Sequence, residues 1–207
     1  NSTLSDPQFT EDNGGLKQFD FIVANPPFSS KNWSNGVYDT EGDENTQLFS
    51  NGTDYGRFKG FGIPPTKNGD YAFLLHMLRS LKSKGKAAVI LPHGVLFRGN
   101  AEAEIRKNLI KKGYIKGIIG LPANLFFGTG IPACLIVIDK ENANNRKAVF
   151  MIDASKGFMK PGPKNQLRSQ DIHKIVDVFN KQLELPKYSR IVPINEIEAK
   201  EYNLNLP

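Results

Sequence analysis

Short apolar runs alternate along the chain with segments in which apolar residues recur every three or four positions. The apolar runs predict β-strands at 19–24, 86–91, 115–121, 133–139 and 147–153. The periodic segments predict amphipathic helices at 70–81, 100–112 and 169–183. Because strands and helices alternate, the pattern indicates an α/β fold with a mainly parallel sheet and helices on its faces.

Residues at the ends of these segments refine the prediction. Asp70 has the position of a helix N-cap, and Gly85 that of the residue that ends the same helix. The link between the last two strands, residues 141–146, is too short for a parallel crossover, so these strands are predicted to form an antiparallel hairpin. Residues 156–207 are predicted to form a helical or irregular tail that packs on the sheet.

Composition indicates an ordinary globular protein. Hydrophobic residues make up 39% of the 207 positions, which is enough for a core without staples. Cys134 is the only cysteine, so an internal disulfide and a cysteine-based zinc site are excluded, and no metal is expected. No apolar run approaches the roughly 20 residues of a membrane span, and the first ten residues do not resemble a signal peptide. We therefore expect a cytoplasmic protein with no membrane partner.

The charge balance is basic, with 27 Lys and Arg against 21 Asp and Glu, a net charge of +6. Such a charge is compatible with a nucleic-acid partner, but it is also common on proteins that bind none. The polar stretch at 29–68 interleaves basic and aromatic residues, among them Lys31, Trp33 and Arg57. This pattern is typical of a DNA-binding surface, and a solvated loop is the alternative.

The tetrapeptide Asn25-Pro26-Pro27-Phe28 follows the first predicted strand directly. The two prolines fix the backbone and remove two N–H donors, which leaves carbonyl acceptors in a rigid turn. Asn25 adds an amide oxygen and Phe28 a flat apolar ring. Together they form a cradle for a planar group that bears an NH₂, at the strand end where α/β sheets bind ligands. The alternative is a turn that only terminates the strand.

The segment 19–28, Phe-Asp-Phe-Ile-Val-Ala-Asn-Pro-Pro-Phe, resembles the catalytic motif of adenine-N6 DNA methyltransferases, and in particular the modification (M) subunit of type I restriction-modification systems. Further blocks resemble that family in the same order, at 70–74, 91–99, 105–106, 120–122, 129–132, 152–155 and 202–205. The resemblance therefore covers essentially the whole chain. It implies a Rossmann-like methyltransferase fold, of which residues 1–155 would be the C-terminal part of the catalytic domain.

The resemblance implies that the intact protein transfers a methyl group from S-adenosylmethionine to an adenine flipped out of double-stranded DNA. Asn25 and the Pro26 carbonyl would accept hydrogen bonds from the amino group, Pro27 would keep the turn rigid, and Phe28 would stack on the base. Partners implied by the family are a specificity subunit, which selects the DNA sequence, and a restriction subunit. The alternatives are a glutamine-amide N-methyltransferase, whose motif typically has Tyr at the position of Phe28, and a non-catalytic assembly fragment.

The family binds its cofactor with a glycine-rich turn that precedes the catalytic motif, and the 24 residues before Asn25 contain no match. The segment 126–130, Phe-Phe-Gly-Thr-Gly, is similar in letters, but it opens an apolar strand rather than a helix and is rejected as a cofactor site. We therefore expect an incomplete cofactor site and an inactive isolated fragment.

Overall fold

The computed structural model describes residues 2–35, 37 and 55–205. The helices are α1 (Ser2–Ser5), α2 (Asp70–Arg79), α3 (Ala101–Lys111), α4 (Ser169–Lys181) and α5 (Ile194–Ala199). The strands are β1 (Phe19–Ala24), β2 (Leu81–Pro92), β3 (Ile115–Gly120), β4 (Ala133–Asp139), β5 (Ala148–Asp153) and β6 (Ser189–Pro193). No helix of the described part of the chain is long and apolar enough to cross a bilayer.

The six strands form one mixed sheet in the order β1-β2-β4-β3-β5-β6. Strands β1, β2, β3 and β5 run parallel, and β4 lies antiparallel between β2 and β3. Helices α2 and α3 contribute apolar faces to the larger core, and α4 contributes to a second cluster on the β3–β5 side. The predicted α/β fold with a mainly parallel sheet is confirmed, and the carboxyl ends of four strands meet at one edge.

The predicted hairpin between the last two strands of the sequence pattern is wrong. β4 pairs with β2 and β3, whereas β5 pairs with β3 and β6, so β3 separates the two strands. Because β4 runs antiparallel, it ends at the edge where β5 begins, and a short link suffices to pass the start of β3. The link packs closely against the chain before β3: a Cβ at Gly113 would lie 2.0 Å from the Ala143 carbonyl oxygen. Gly113 also has φ +67°, so this position requires glycine.

Three further features of the fold differ from the prediction. Helix α2 ends at Arg79, and Gly85 lies inside β2, where the register with β1 shifts. Strand β6 was not predicted, and it extends the sheet with residues of the tail. The apolar sequence of β1 is typical of a strand buried on both faces, but β1 is an edge strand with Phe21 76% and Val23 82% exposed. An apolar strand is buried on both faces only where other elements cover both of them. In the described chain, the face of β1 that carries Phe21 and Val23 stays open.

Candidate active site

The Asn25–Phe28 turn lies at the carboxyl end of β1, on the sheet edge shared by β2, β3 and β5. Asn25 and Pro27 are exposed, and Pro26 and Phe28 are half-buried. Within the described residues, no group forms a hydrogen bond with the exposed Asn25 side chain, so its amide is available as an acceptor. The turn therefore presents an exposed amide and, three residues further on, a half-buried aromatic ring.

The backbone directly after the turn is held by the start of α2. Ser29 has φ +49°, and its N–H donates to Asp70 Oδ1 at 2.7 Å. The Gly69 N–H donates to the Ser30 carbonyl at 3.0 Å, and a Cβ at Gly69 would lie 2.7 Å from the Trp33 Cβ, so this approach requires glycine. The expectation that Asp70 is an N-cap is wrong: Gly69 is the N-cap residue, and the Asp70 carboxylate instead accepts the N–H of Ser29, the residue after the turn.

Asp70 belongs to a three-residue ionic network. Arg98, from the segment after β2, reaches Asp70 Oδ2 with Nη2 at 2.5 Å. The same guanidinium contacts Glu102 of α3 through Nε–Oε2 at 2.5 Å and Nη2–Oε1 at 3.0 Å. Both carboxylates are buried, and the pKa of Arg98 is raised because hydrogen bonds to the two acids outweigh the effect of its partial burial. The network thus fixes the start of α2 against two neighbouring segments.

A second aromatic side chain lies beside the turn. The Phe126 ring meets the edge of Phe28 at a centroid distance of 5.5 Å and an interplanar angle of 67°. Phe126 is on the 121–132 loop between β3 and β4, and its neighbour Phe127 is 92% exposed. No helix follows the Phe-Phe-Gly-Thr-Gly segment, since the next element is β4, so this segment does not have the context of a cofactor turn.

The 121–132 loop is attached to the 156–168 segment by side chains. Lys164 Nζ donates to Asn124 Oδ1 at 2.9 Å and to the Thr129 carbonyl at 2.8 Å, and Asn124 Nδ2 donates to the Pro163 carbonyl at 2.6 Å. Lys164 is therefore engaged in holding the loop that carries Phe126.

Two of the three predicted DNA-contacting residues are buried, so that part of the prediction is wrong. Trp33 is fully buried, donates its indole N–H to the Pro65 carbonyl at 2.8 Å and meets Phe58 edge-on. Arg57 is buried and bonds to the Leu4 carbonyl at 2.5 Å. Lys31 is exposed near the turn. Interleaved aromatic and basic residues predicted a surface, but in this segment they build core; residues 36 and 38–54 of the same stretch lie outside the described residues.

His76 is not at the carboxyl edge but on α2, and its burial together with the nearby Arg57 charge lowers its pKa from 6.5 to about 4. His93 follows β2, stacks edge-on with Phe97, and also has a lowered pKa because of its partial burial. Among the described residues, neither histidine forms a hydrogen bond with the Asn25–Phe28 turn.

The His76 environment predicts a pH-dependent stability. The unfolded chain takes up a proton at His76 near pH 6.5, and the folded protein does so only near pH 4, so the unfolded state binds more protons in between. The free energy of unfolding is therefore expected to fall by about 2–3 kcal/mol more in the wild type than in His76→Gln as the pH drops from 7 to 4. Urea titrations of both proteins at each pH measure this difference, and parallel pH profiles would contradict it.

Sequence reasoning missed the contacts that support the turn. Asp70 had the pattern of a cap, and Glu102 that of an acid favoured by the helix dipole, because both stand at helix starts. Only the spacing of Arg98 and Glu102, four residues apart, carried a signal of their pairing. Phe126 was considered only within the rejected glycine-rich segment, and its contact with Phe28 requires the three-dimensional arrangement.

The chain matches the family model described as N-6 DNA Methylase over residues 1–207. A type I restriction enzyme methylase subunit (MpnII) of Mycoplasma pneumoniae is 34% identical, over 91% of this chain and 32% of its own length. The HindI methylase subunit of Haemophilus influenzae is 33% identical, over 83% of this chain and 36% of its own. The crystal structure of a type I restriction-modification system methyltransferase subunit from Streptococcus thermophilus superposes with a TM-score of 0.82 at 38% identity, covering 99% of this chain and 40% of that one.

The chain therefore belongs to the N-6 DNA methylase family, as the resemblance of its motifs implied. Its similarity is to methylase subunits of type I restriction enzymes. It spans about a third of the length of the curated relatives that it matches.

Proposed function

We infer that this chain is the C-terminal part of the catalytic domain of a type I modification subunit, and that the intact subunit methylates adenine N6 in DNA. The observation that carries this proposal is the exposed Asn25–Phe28 turn at the carboxyl end of β1, in a chain of the N-6 DNA methylase family. The open apolar face of β1, with Phe21 and Val23 exposed, supports a further part of the same sheet that covers it in the intact protein.

The turn provides the contacts that an adenine amino group needs. Asn25 Oδ1 and the Pro26 carbonyl accept its two N–H donors, and the Phe28 ring lies against the base, which must leave the duplex to reach them. With both hydrogens engaged, the nitrogen lone pair points out of the base plane toward the side from which the methyl group arrives. Orientation of the reacting nitrogen accounts for much of the acceleration in this mechanism, and no general base is required beforehand.

S-adenosylmethionine would supply the methyl group as a sulfonium electrophile: the N6–C bond would form as the methyl C–S bond breaks, S-adenosylhomocysteine would leave as a neutral thioether, and N6 would then lose one proton to solvent. The described residues fit the acceptor half of such a site: Asn25 offers a free oxygen, and the Phe28 and Phe126 rings offer an apolar wall. They include no glycine-rich turn that leads from a strand into a helix, so the cofactor half is assigned to the part of the intact subunit that precedes this chain.

The partners follow from the same proposal. Double-stranded DNA meets the carboxyl edge, where Lys31 is exposed close to the turn. A specificity subunit selects the sequence, a restriction subunit completes the complex, and the reaction takes place in the cytoplasm. The basic balance of +6 supports a polyanionic substrate.

Methylation of a glutamine amide in a protein is the second candidate, since that amide also presents a planar NH₂. The match to an N-6 DNA methylase model and the names of the relatives favour DNA. A non-catalytic assembly role is the third, and the match of the whole chain to an N-6 DNA methylase model favours an enzyme over it.

The experiment uses the intact subunit with its specificity subunit, a DNA containing the recognition sequence, and S-adenosylmethionine labelled in the methyl group. We expect label in the DNA and none above background in protein. Label in protein would support the glutamine-amide alternative, and label in neither would support the assembly role. The present chain alone is expected to bind S-adenosylmethionine weakly in calorimetry, and a micromolar affinity would contradict the assignment of the cofactor half to another segment.

A further inference from the structure

We propose that Asp70 is a positioning residue for methyl transfer, which sets the catalytic turn through the backbone of Ser29 and is itself oriented by Arg98 and Glu102. The inference rests on the proposed function, and it adds a residue that acts through the turn and does not touch the base. Asp70 is fully buried, and its Oδ1 accepts the Ser29 N–H at 2.7 Å, one residue after Phe28. A charge-assisted bond at this position fixes where the turn ends.

The backbone at Ser29 needs such a partner. With φ +49°, Ser29 is in the left-handed region, which a residue with a side chain adopts at a cost and keeps only where its surroundings stabilise it. The Ser29 hydroxyl lies 3.4 Å from Asp70 Oδ2, so the carboxylate faces the whole residue. Loss of the carboxylate charge weakens the contact that holds Ser29 in this conformation. Because Phe28 directly precedes Ser29, a change in the Ser29 backbone also moves the Phe28 ring.

The Asp70 carboxylate is held by the planar guanidinium of Arg98. Arg98 bonds to Asp70 with Nη2 and to Glu102 with both Nε and Nη2, so that one guanidinium serves two buried acids. Asp70 also stands in the first turn of α2, where the helix dipole favours a negative charge. The network joins three segments of the carboxyl edge: the turn after β1, the start of α2 and the segment after β2.

Precise placement of the turn matters more for rate than for binding. A displacement of about 1 Å at a reacting group costs on the order of 10²-fold in rate, even when the substrates still bind. Asp70→Asn keeps the shape of the side chain but removes its charge and one acceptor oxygen, so the single remaining oxygen cannot serve the Ser29 N–H and Arg98 as the two carboxylate oxygens do. We therefore expect the variant to move or loosen the turn while the core around it remains folded.

A matched control lies at the opposite edge of the sheet. Asp139 ends β4, is also buried, and pairs with Lys116 at 3.1 Å and Lys86 at 3.9 Å. Asp139→Asn removes a buried, paired carboxylate of the same kind, but one without contact to the catalytic turn. A general loss of stability therefore affects both variants, and a positioning effect appears only in Asp70→Asn.

The test measures the single-turnover methylation rate, the KM for S-adenosylmethionine and the DNA affinity of the intact subunit in its complex. It also measures backbone amide exchange in the 25–30 peptide by mass spectrometry. We expect Asp70→Asn to methylate about 10²-fold more slowly with both affinities nearly unchanged, and to exchange faster in this peptide. Asp139→Asn is expected to match the wild type in both methylation rate and amide exchange. Arg98→Lys keeps the charge but cannot fork, and a smaller rate loss of the same kind is expected.

Equal rates in the Asp70 and Asp139 variants, or unchanged amide exchange in Asp70→Asn, would overturn the positioning role. A wild-type complex without methylation would overturn the proposed function, and amide exchange would still report whether Asp70 holds the turn. If Asp70→Asn does not fold, an Arg98→Lys variant that methylates at the wild-type rate and keeps wild-type exchange overturns the proposal.

Discussion

Replacing Asn25 by alanine in the intact subunit is expected to lower the rate of methyl transfer by about 10²–10³-fold, the loss typical of a preorganised hydrogen-bonding group at a reacting centre. Asn25 is exposed at the end of β1, and in the described chain its amide is committed to no other group. Its removal therefore takes away an acceptor at the reacting nitrogen without disturbing packing. Single-turnover kinetics with saturating DNA and cofactor measure the effect.

Asn145→Ala is the matched control, because Asn145 is an exposed asparagine in the link between β4 and β5, at the opposite edge of the sheet. This variant should methylate at the wild-type rate, and both variants should melt within a few degrees of the wild type. If Asn25→Ala retains the wild-type rate, the amide is not an acceptor for the amino group, and the turn serves only to end the strand.

Arg106→Met is expected to reduce the free energy of unfolding by about 3–5 kcal/mol, because it leaves several buried carbonyls one partner short. Arg106 is buried on α3, and Nε donates to the Tyr202 carbonyl at 2.6 Å. Its Nη1 donates to the carbonyls of Val95 at 3.1 Å and Arg98 at 2.9 Å. The side chain thus joins the end of the tail to the segment after β2. Urea denaturation of the chain measures the loss.

Arg190→Met provides the comparison for this prediction. Arg190 also bonds to an acceptor on another element, Glu196, but in an exposed ion pair. Exposed ion pairs contribute about 0–1 kcal/mol to stability, so the free energy of unfolding of Arg190→Met should be close to that of the wild type. Similar losses in both variants would show that burial of the Arg106 contacts does not determine their contribution.

Periodicity predicted the elements with local signals well and the sheet order poorly. Strands β3, β4 and β5, and helices α2, α3 and α4, lie within a few residues of their predicted bounds, since their apolar repeats match the faces they bury. The position of β4 between β2 and β3 depends on pairing between distant segments, and no local repeat encodes it. Strand β6 has only five residues and a half-exposed pattern, which the sequence does not distinguish from a loop.

The candidate site divides in the same way. The Asn25–Phe28 turn was predictable because its chemistry lies in four consecutive residues at a strand end. Its supports, Asp70 and Arg98, come from segments more than 40 and 60 residues further along the chain, where each looked like part of an ordinary helix end or loop. Trp33 shows the opposite error: aromatic residues interleaved with basic ones in a polar stretch suggested a surface, but its ring is buried against Phe58 and its N–H donates to the Pro65 carbonyl.

The position of the transferred methyl group tests the central claim most directly. DNA methylated by the intact subunit and its specificity partner is digested to nucleosides, and these are identified by mass spectrometry. We expect N6-methyladenine as the product, formed by the wild type and depleted in Asn25→Ala. Methyl groups on cytosine, or none on the DNA while the same preparation methylates protein, would contradict adenine-N6 methylation by the intact subunit.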